Sequence, residues 1–127
     1  MSVTGVQLFS LPVTDQDRAR DFYVDVLGLE LLQDAEMSPG MRWVQVRPRG
    51  AATSITLVTW FDTMPAGSVR GTVLETDDLD GDAARLAALG VDLGDGVQES
   101  PWGRWMQLTD PDGNGIVLQA TVGAPAA

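Results

Sequence analysis

The 127-residue sequence predicts an α+β fold built from two tandem βαβββ modules, and three observations carry that expectation. First, the chain repeats itself. Leu27-Gly28-Leu29-Glu30-Leu31 matches Leu89-Gly90-Val91-Asp92-Leu93, and Arg42-Trp43-Val44-Gln45-Val46 matches Arg104-Trp105-Met106-Gln107-Leu108; both pairs share one offset, 89 − 27 = 104 − 42 = 62. Second, each copy holds one segment with apolar residues at helical spacing that ends at Leu-Gly. Third, that segment is preceded by one short apolar run and followed by three, separated by Pro- and Gly-rich turns. Two copies are too few for a solenoid, so a pair of modules with curved mixed sheets, helices outside and a cleft enclosed is expected.

Residues 6–13, Val-Gln-Leu-Phe-Ser-Leu-Pro-Val, read as the first strand, with Pro12 near its end suiting an edge or bulge. Residues 15–27 read as a helix with Ala19, Phe22, Tyr23, Val26 and Leu27 at helical spacing; Thr14 or Asp15 can cap it, and Gly28 ends it. Strands follow at 29–36, 41–47 and 54–61. In the second copy 70–76 is a strand. Residues 78–89 form a helix with Leu79, Ala83, Leu86 and Leu89 on one side and Gly90 after it, and strands follow at 91–98, 103–109 and 115–120. One domain over 1–122 is expected, with module one at about 4–61, a linker at 62–69, module two at about 70–120 and a tail at 123–127 that frays.

Composition narrows the chemistry. Eight Lys plus Arg against 18 Asp plus Glu give a formal charge of −10, which argues against a nucleic-acid partner and against anionic membranes. There is no apolar run of the ~18 residues that span a bilayer and no basic, apolar N-terminal signal, so a cytoplasmic location is expected. The chain has no Cys and no His. The first absence excludes disulfides and a thiol nucleophile. The second removes the usual transition-metal ligand and the usual general base near neutral pH. Ser100-Pro101-Trp102 has no partner base, and no Gly-rich phosphate cradle is present. Asp110-Pro-Asp112-Gly-Asn114-Gly115 matches the start of an EF-hand loop, but its twelfth position is Thr121 where a bidentate Glu is required, so it reads as a turn.

These elements, taken together with their turns, resemble a known family. The strand followed by Val13-Thr14-Asp15, then Asp21-Phe22-Tyr23 through Val26-Leu27-Gly28-Leu29-Glu30, is similar to the first module of vicinal oxygen chelate proteins, the glyoxalase and bleomycin resistance group. Glu75-Thr76-Asp77-Asp78-Leu79 with its helix ending Ala88-Leu89-Gly90-Val91 resembles the second module. Asp110-Pro111-Asp112-Gly113-Asn114-Gly115 resembles the turn before the last strand. The likeness covers about residues 4–120. It implies paired βαβββ modules, a cavity and, in many relatives, a divalent metal held by side chains early in each first strand and in each last strand. Those positions fall here on Leu8, on Gly71 (or Arg70), on Val117 and, by the offset of 62, on Ile55. None of Leu, Gly, Val or Ile offers a lone pair to a cation, so no metal and no other cofactor is expected. Lewis-acid chemistry loses its electrophile. The metal-free members that sequester toxic small molecules are the nearer analogy. The resemblance also implies a homodimer.

The expected function is therefore metal-independent binding of a hydrophobic or aromatic small molecule such as an antibiotic. The alternative is a metal-independent isomerase, lyase or oxygenase-like enzyme relying on Glu75 or Tyr23. No catalytic residue is assigned beyond the weak candidate Glu75. The expected ligand-binding residues are Leu8, Ser10, Trp43, Gln45, Trp60, Glu75, Trp102, Trp105 and Gln107. Leu8, Ser10 and Pro12 share one face of the first strand, as do Gly71, Val73 and Glu75 in the second module. Trp43 and Trp105 occupy matching repeat positions, where flat faces can stack on an aromatic ring; core or dimer contacts are the alternative for each Trp, and a solvated strand end is the alternative for Glu75. Gln45 and Gln107 share the faces of those tryptophans and can donate to ligand carbonyls, while Arg42 and Arg104 point oppositely and can pair with acids. Alternation leaves open which of the two faces lines the cleft. A metal site moved to Glu75 and Glu99 is a third possibility.

Overall fold

The computed structural model describes residues 2–122, so the expected tail at 123–127 lies outside the described residues. The elements run β1 (Leu8–Pro12), α1 (Gln16–Asp21) continuing into a π-helical turn (Phe22–Val26), β2 (Glu30–Ser38), β3 (Met41–Arg47), β4 (Ser54–Val58), β5 (Thr72–Glu75), α2 (Leu79–Ala88), β6 (Gln98–Ser100), β7 (Gly103–Thr109) and β8 (Gly115–Thr121). They make two four-stranded sheets of identical connectivity, β1-β4-β3-β2 and β5-β8-β7-β6. In each, the first and last strands of the module pair in parallel at one side while the other pairs are antiparallel. This is the βαβββ module twice over. The chain separates into two compact units, one holding residues 2–69 with 111–114 and the other 70–110 with 115–122.

The helices start where the sequence offers a cap. Asp15 accepts a hydrogen bond from the Arg18 amide at 3.1 Å, and Asp78 accepts from the Gly81 amide at 3.1 Å. Thr14, the other cap candidate, donates instead from its amide and hydroxyl to Asp112. The expected helix at 15–27 is α-helical only through Asp21. Beyond it the Leu27 amide bonds the Phe22 carbonyl, five residues back, so the last turn is widened by one residue. Apolar spacing cannot distinguish the two, because Phe22 and Tyr23 face the core either way.

In the first unit Leu11, Ala19, Tyr23, Val44, Val46, Ile55 and Leu57 are almost wholly buried; in the second, Leu86, Met106, Leu108 and Ile116 form the corresponding core. Leu89 departs from the expected stripe. It lies past the end of α2 and is exposed. The expected strand at 54–61 closes at Val58, and the expected strand at 91–98 is met only at Gln98, where β6 (Gln98–Ser100) begins. Val91-Asp92-Leu93 alternates as a strand should, but Gly94 and Gly96 take φ of +58° and +75°, which extended pairing excludes. Asp92 accepts from the Gly94 amide at 2.8 Å and the Gly96 amide donates to the Leu93 carbonyl at 2.9 Å, closing two successive turns. Among the described residues no helix is long and apolar enough to cross a membrane.

The helix faces of the sheets are marked by ion pairs. On β3, Arg42 forks onto Asp34 of β2 (Nε–Oδ1 2.8 Å, Nη2–Oδ2 2.9 Å) and reaches Asp17 of α1, while Arg20 of α1 donates to Asp34 at 2.8 Å. These donors, Arg42 first and Arg20 second, hold the Asp34 carboxyl down from 3.8 to about 2. A depressed folded pKa stabilises the fold above pH ~4 and the contribution fades as pH falls through about 2. Asp34 keeps 20% of its side chain exposed, so the network contributes about 1 kcal/mol rather than the full shift. Guanidinium denaturation of Asp34→Asn should show that loss at pH 7 and a flatter acid limb between pH 4 and 2; an unchanged limb would remove Asp34 as its source.

Candidate functional site

Because Arg42 lies on the α1 face of its sheet, alternation along β3 places Trp43 and Gln45 on the opposite face. Pairing carries that face across the sheet: Gln45 lies opposite Thr56, Thr56 beside Ser10, and Ser54 beside Leu8. Arg104 on β7 likewise pairs with Asp80 of α2 at 2.9 Å, so Trp105 and Gln107 lie on the face away from α2. On that face Gln98, Trp105, Gln119 and Glu75 form one cross-strand row, Gln107, Val117 and Val73 the next, and Thr109 and Gly115 the row beyond.

The same pairings correct the register of the repeat. Gln45 opposes Thr56 while Gln107 opposes Val117. The offset is 62 on the third strand of each module but 117 − 56 = 61 on the fourth. The module-one counterpart of Val117 is therefore Thr56. Ile55 points to the opposite, α1-facing side and is buried. A single-residue difference in the preceding loop flips the face, since strand periodicity is two.

The two faces differ in how their polar groups are satisfied. In the first unit the groups bond one another. The Trp43 indole N–H donates to Gln45 Oε1 at 2.9 Å, the Gln45 amide donates to Ser54 Oγ at 2.7 Å, and Ser10 and Thr56 share a hydroxyl bond of 2.9 Å. Trp43 stacks on Trp60 with ring centres 6.4 Å apart and planes 23° from parallel, and every residue of β4 is buried. Leu8, Ser10, Trp43 and Gln45 thus share one bonded face, with Trp60 stacked on it.

In the second unit the equivalent chain is broken. The position matching Ser54 is Gly115, which has no hydroxyl, so Gln107 makes no side-chain hydrogen bond within the described residues. Trp105 Nε1 is buried and meets no acceptor among them. Here the surface is hollow. A cavity of about 350 Å³ is lined by Gln107, Thr109, Gly115 and Val117 of the sheet, by Arg70 and Gly71 just before β5, and by Asp92 and Gly94 of the 91–97 segment. A second of about 200 Å³ lies under Leu93–Gly96 against Gln98, Trp105 and Gln107. The segment expected to be a strand is thus a wall. Asp92, Gly94, Thr109 and Val117 were not among the residues expected to bind a ligand; the Asp-Leu-Gly-Asp-Gly run at 92–96 was the available signal.

Of the remaining candidates, Trp102 sits exposed in the turn between β6 and β7. Glu75 is exposed at the end of β5, and both its carboxylate oxygens accept from Thr121, one from the amide at 2.8 Å and one from the hydroxyl. Glu99 opposes Arg104 and so lies on the α2 face, opposite Glu75, and those two carboxylates do not share a metal site.

The positions where the resemblance puts metal ligands do not fit a cation. Leu8, Gly71 and Val117 have no donor atom, and the Thr56 hydroxyl is bonded to Ser10. Among the described residues no group of three or more acidic side chains is placed to hold a metal ion.

Comparison with known proteins agrees with this architecture. A family model for the Glyoxalase/Bleomycin resistance protein/Dioxygenase superfamily matches residues 5–118. The chain is 31% identical over 110 residues to YetH of Bacillus subtilis (strain 168), covering 84% of this chain and 90% of that protein. Among solved structures it is similar to TnmS3, an antibiotic binding protein from Streptomyces sp. CB03234, with 52% identity, a TM-score of 0.91 and coverage of 95% of this chain and 98% of that one. A glyoxalase/bleomycin resistance protein from the same organism has 52% identity, a TM-score of 0.83 and coverage of 91% and 99%. The family match runs from before β1 into β8 and takes in both modules, and on that ground the chain belongs to the Glyoxalase/Bleomycin resistance protein/Dioxygenase superfamily.

Proposed function

We propose that this chain binds a hydrophobic, partly aromatic small molecule without a metal and holds it out of circulation, as an antibiotic-sequestering protein does. The observation that carries this reading is the cavity of about 350 Å³ on the second sheet, whose Gln107 amide is left unbonded while its module-one counterpart Gln45 is bonded to Ser54. A volume of a few hundred Å³ with an apolar floor and a few polar groups suits a small organic ligand. The 52% identity to an antibiotic binding protein along nearly the whole chain supports the same class of ligand. In this reading the protein acts in the cytoplasm and as a homodimer, which light scattering on the purified protein checks.

Titration of tryptophan fluorescence against a panel of uncharged polycyclic natural products is the direct test. Saturable quenching by at least one compound, unchanged by excess chelator and with the compound recovered intact, is the expected result. Absence of quenching across the panel, or binding that chelator abolishes, contradicts the reading.

A further inference from the structure

We propose that the second sheet selects its aromatic ligand for an acceptor oxygen, a ketone or quinone-type carbonyl, by donating a hydrogen bond from Trp105 Nε1–H, with the Gln107 amide as second donor. This deepens the reading above and rests on it.

The argument starts from the repeat. At matched positions two tryptophans meet two different fates. Trp43 Nε1 is satisfied by Gln45 Oε1, and Gln45 is in turn anchored by Ser54. In the second unit Gly115 stands in the place of Ser54. Gln107 has no hydroxyl to hold it, and its amide does not serve the indole of Trp105. A buried N–H without an acceptor is unfavourable, and such groups are rare in folded proteins. Here the orphan donor belongs to a ring that lines a cavity, and Gln107 lines both that cavity and its larger neighbour. The two cavities share Gly94 and Gln107 in their linings, so both donors belong to neighbouring hollows, and Val117 supplies an apolar residue to the larger one.

The donor is not open to solvent. The Trp105 side chain belongs to the lining of the cavity beside Leu93–Gly96, a segment outside the strand ladder that is closed by an Asx turn and held by the Gln98 amide on the Asp95 carbonyl at 2.9 Å. A carbonyl reaching Trp105 must shift that segment slightly, and the glycines at 94 and 96 permit it. An isosteric hydrocarbon would leave both donors unpaired, and sites of this kind discriminate against the analogue lacking the oxygen.

The test uses 9-fluorenone and fluorene, which share one ring system and differ in the carbonyl. Calorimetric titration of the wild-type protein should show fluorenone bound about tenfold tighter than fluorene. Trp105→Phe, which keeps an aromatic ring and removes the donor, should bring the two to within about twofold of each other while changing fluorene affinity little. Should Trp105→Phe fold poorly, the wild-type protein still decides. Its Trp105 indole proton, assigned by substituting the other three tryptophans, should move downfield with fluorenone and not with fluorene. Equal affinities for the two compounds, or a preference that survives in Trp105→Phe, overturns the proposal and leaves aromatic binding standing. Binding of neither compound overturns both.

Discussion

Replacing Asn114 by alanine is expected to destabilise the fold by about 2–4 kcal/mol, a fall of roughly 6–15 °C in Tm. Asn114 is completely buried. Its amide donates to the Pro12 carbonyl at 2.8 Å and its side-chain oxygen accepts from the Val69 amide at 3.2 Å, so one side chain ties together backbone at positions 12 and 69. Alanine loses both bonds and leaves a void of carboxamide size, and neither effect is relieved by water at a site with no exposure. Asn114→Asp separates the two contributions. It fills the space and can still accept from Val69, but it turns the donor facing Pro12 into an acceptor and buries a charge. Thermal unfolding of both variants decides the matter: Asn114→Asp as stable as wild type would mean that the amide donor is unimportant and that only volume matters at this position.

Asn114 also shows what a sequence can and cannot convey. Asp-Pro-Asp-Gly-Asn-Gly is legible as a turn because each residue has its own local reason to be there, and the structure has that turn between β7 and β8. Its long-range partners are not legible, since nothing local marks Pro12 and Val69 as their destination. The repeat behaves likewise. Local signals, the helix cap at Asp15 and the glycines at 28 and 90 after the helices, mark the order of elements in both βαβββ modules. The offset of 62 then fails by one on the last strand, because the loops preceding it differ in length and no side-chain pattern in β4 discloses the register. A one-residue slip exchanges faces, which is why Ile55 was expected where Thr56 stands.

The site was legible only in part, for a related reason. Trp43 with Gln45 and Trp105 with Gln107 look equivalent on the page, and the repeat invites assigning both pairs one role. Their difference lies in a third residue, Ser54 against Gly115, whose relation to them depends on strand pairing. The 91–97 segment misleads in the opposite direction. Val91, Leu93 and Val97 fit a strand of period two, and the backbone demands of Gly94 and Gly96 outweigh that pattern. The segment thereby becomes the wall of the cavity rather than an additional length of β6.

If ligand binding uses that cavity, Val117→Arg should weaken it by on the order of 100-fold with little effect on stability. Val117 lies on β8, paired to β5 on one side and β7 on the other, with Val73 and Gln107 as its cross-strand neighbours. It lines the cavity and is only partly buried, so a longer side chain can be accommodated by projecting into the hollow instead of disrupting the core below. An arginine there occupies the volume and sets a charge where an apolar ring would lie, next to two donors that cannot neutralise it. Val73→Arg is the matched control. It makes the same change of charge on the same face, one strand away, at an exposed position that does not line the cavity, and it should alter affinity by less than about threefold. Fluorescence titration of the two variants with one bound compound reads the difference. Loss of binding in Val73→Arg with retention in Val117→Arg would move the ligand off the Gln107–Val117 row, and equal loss in both would assign the effect to charge rather than to the filling of this cavity.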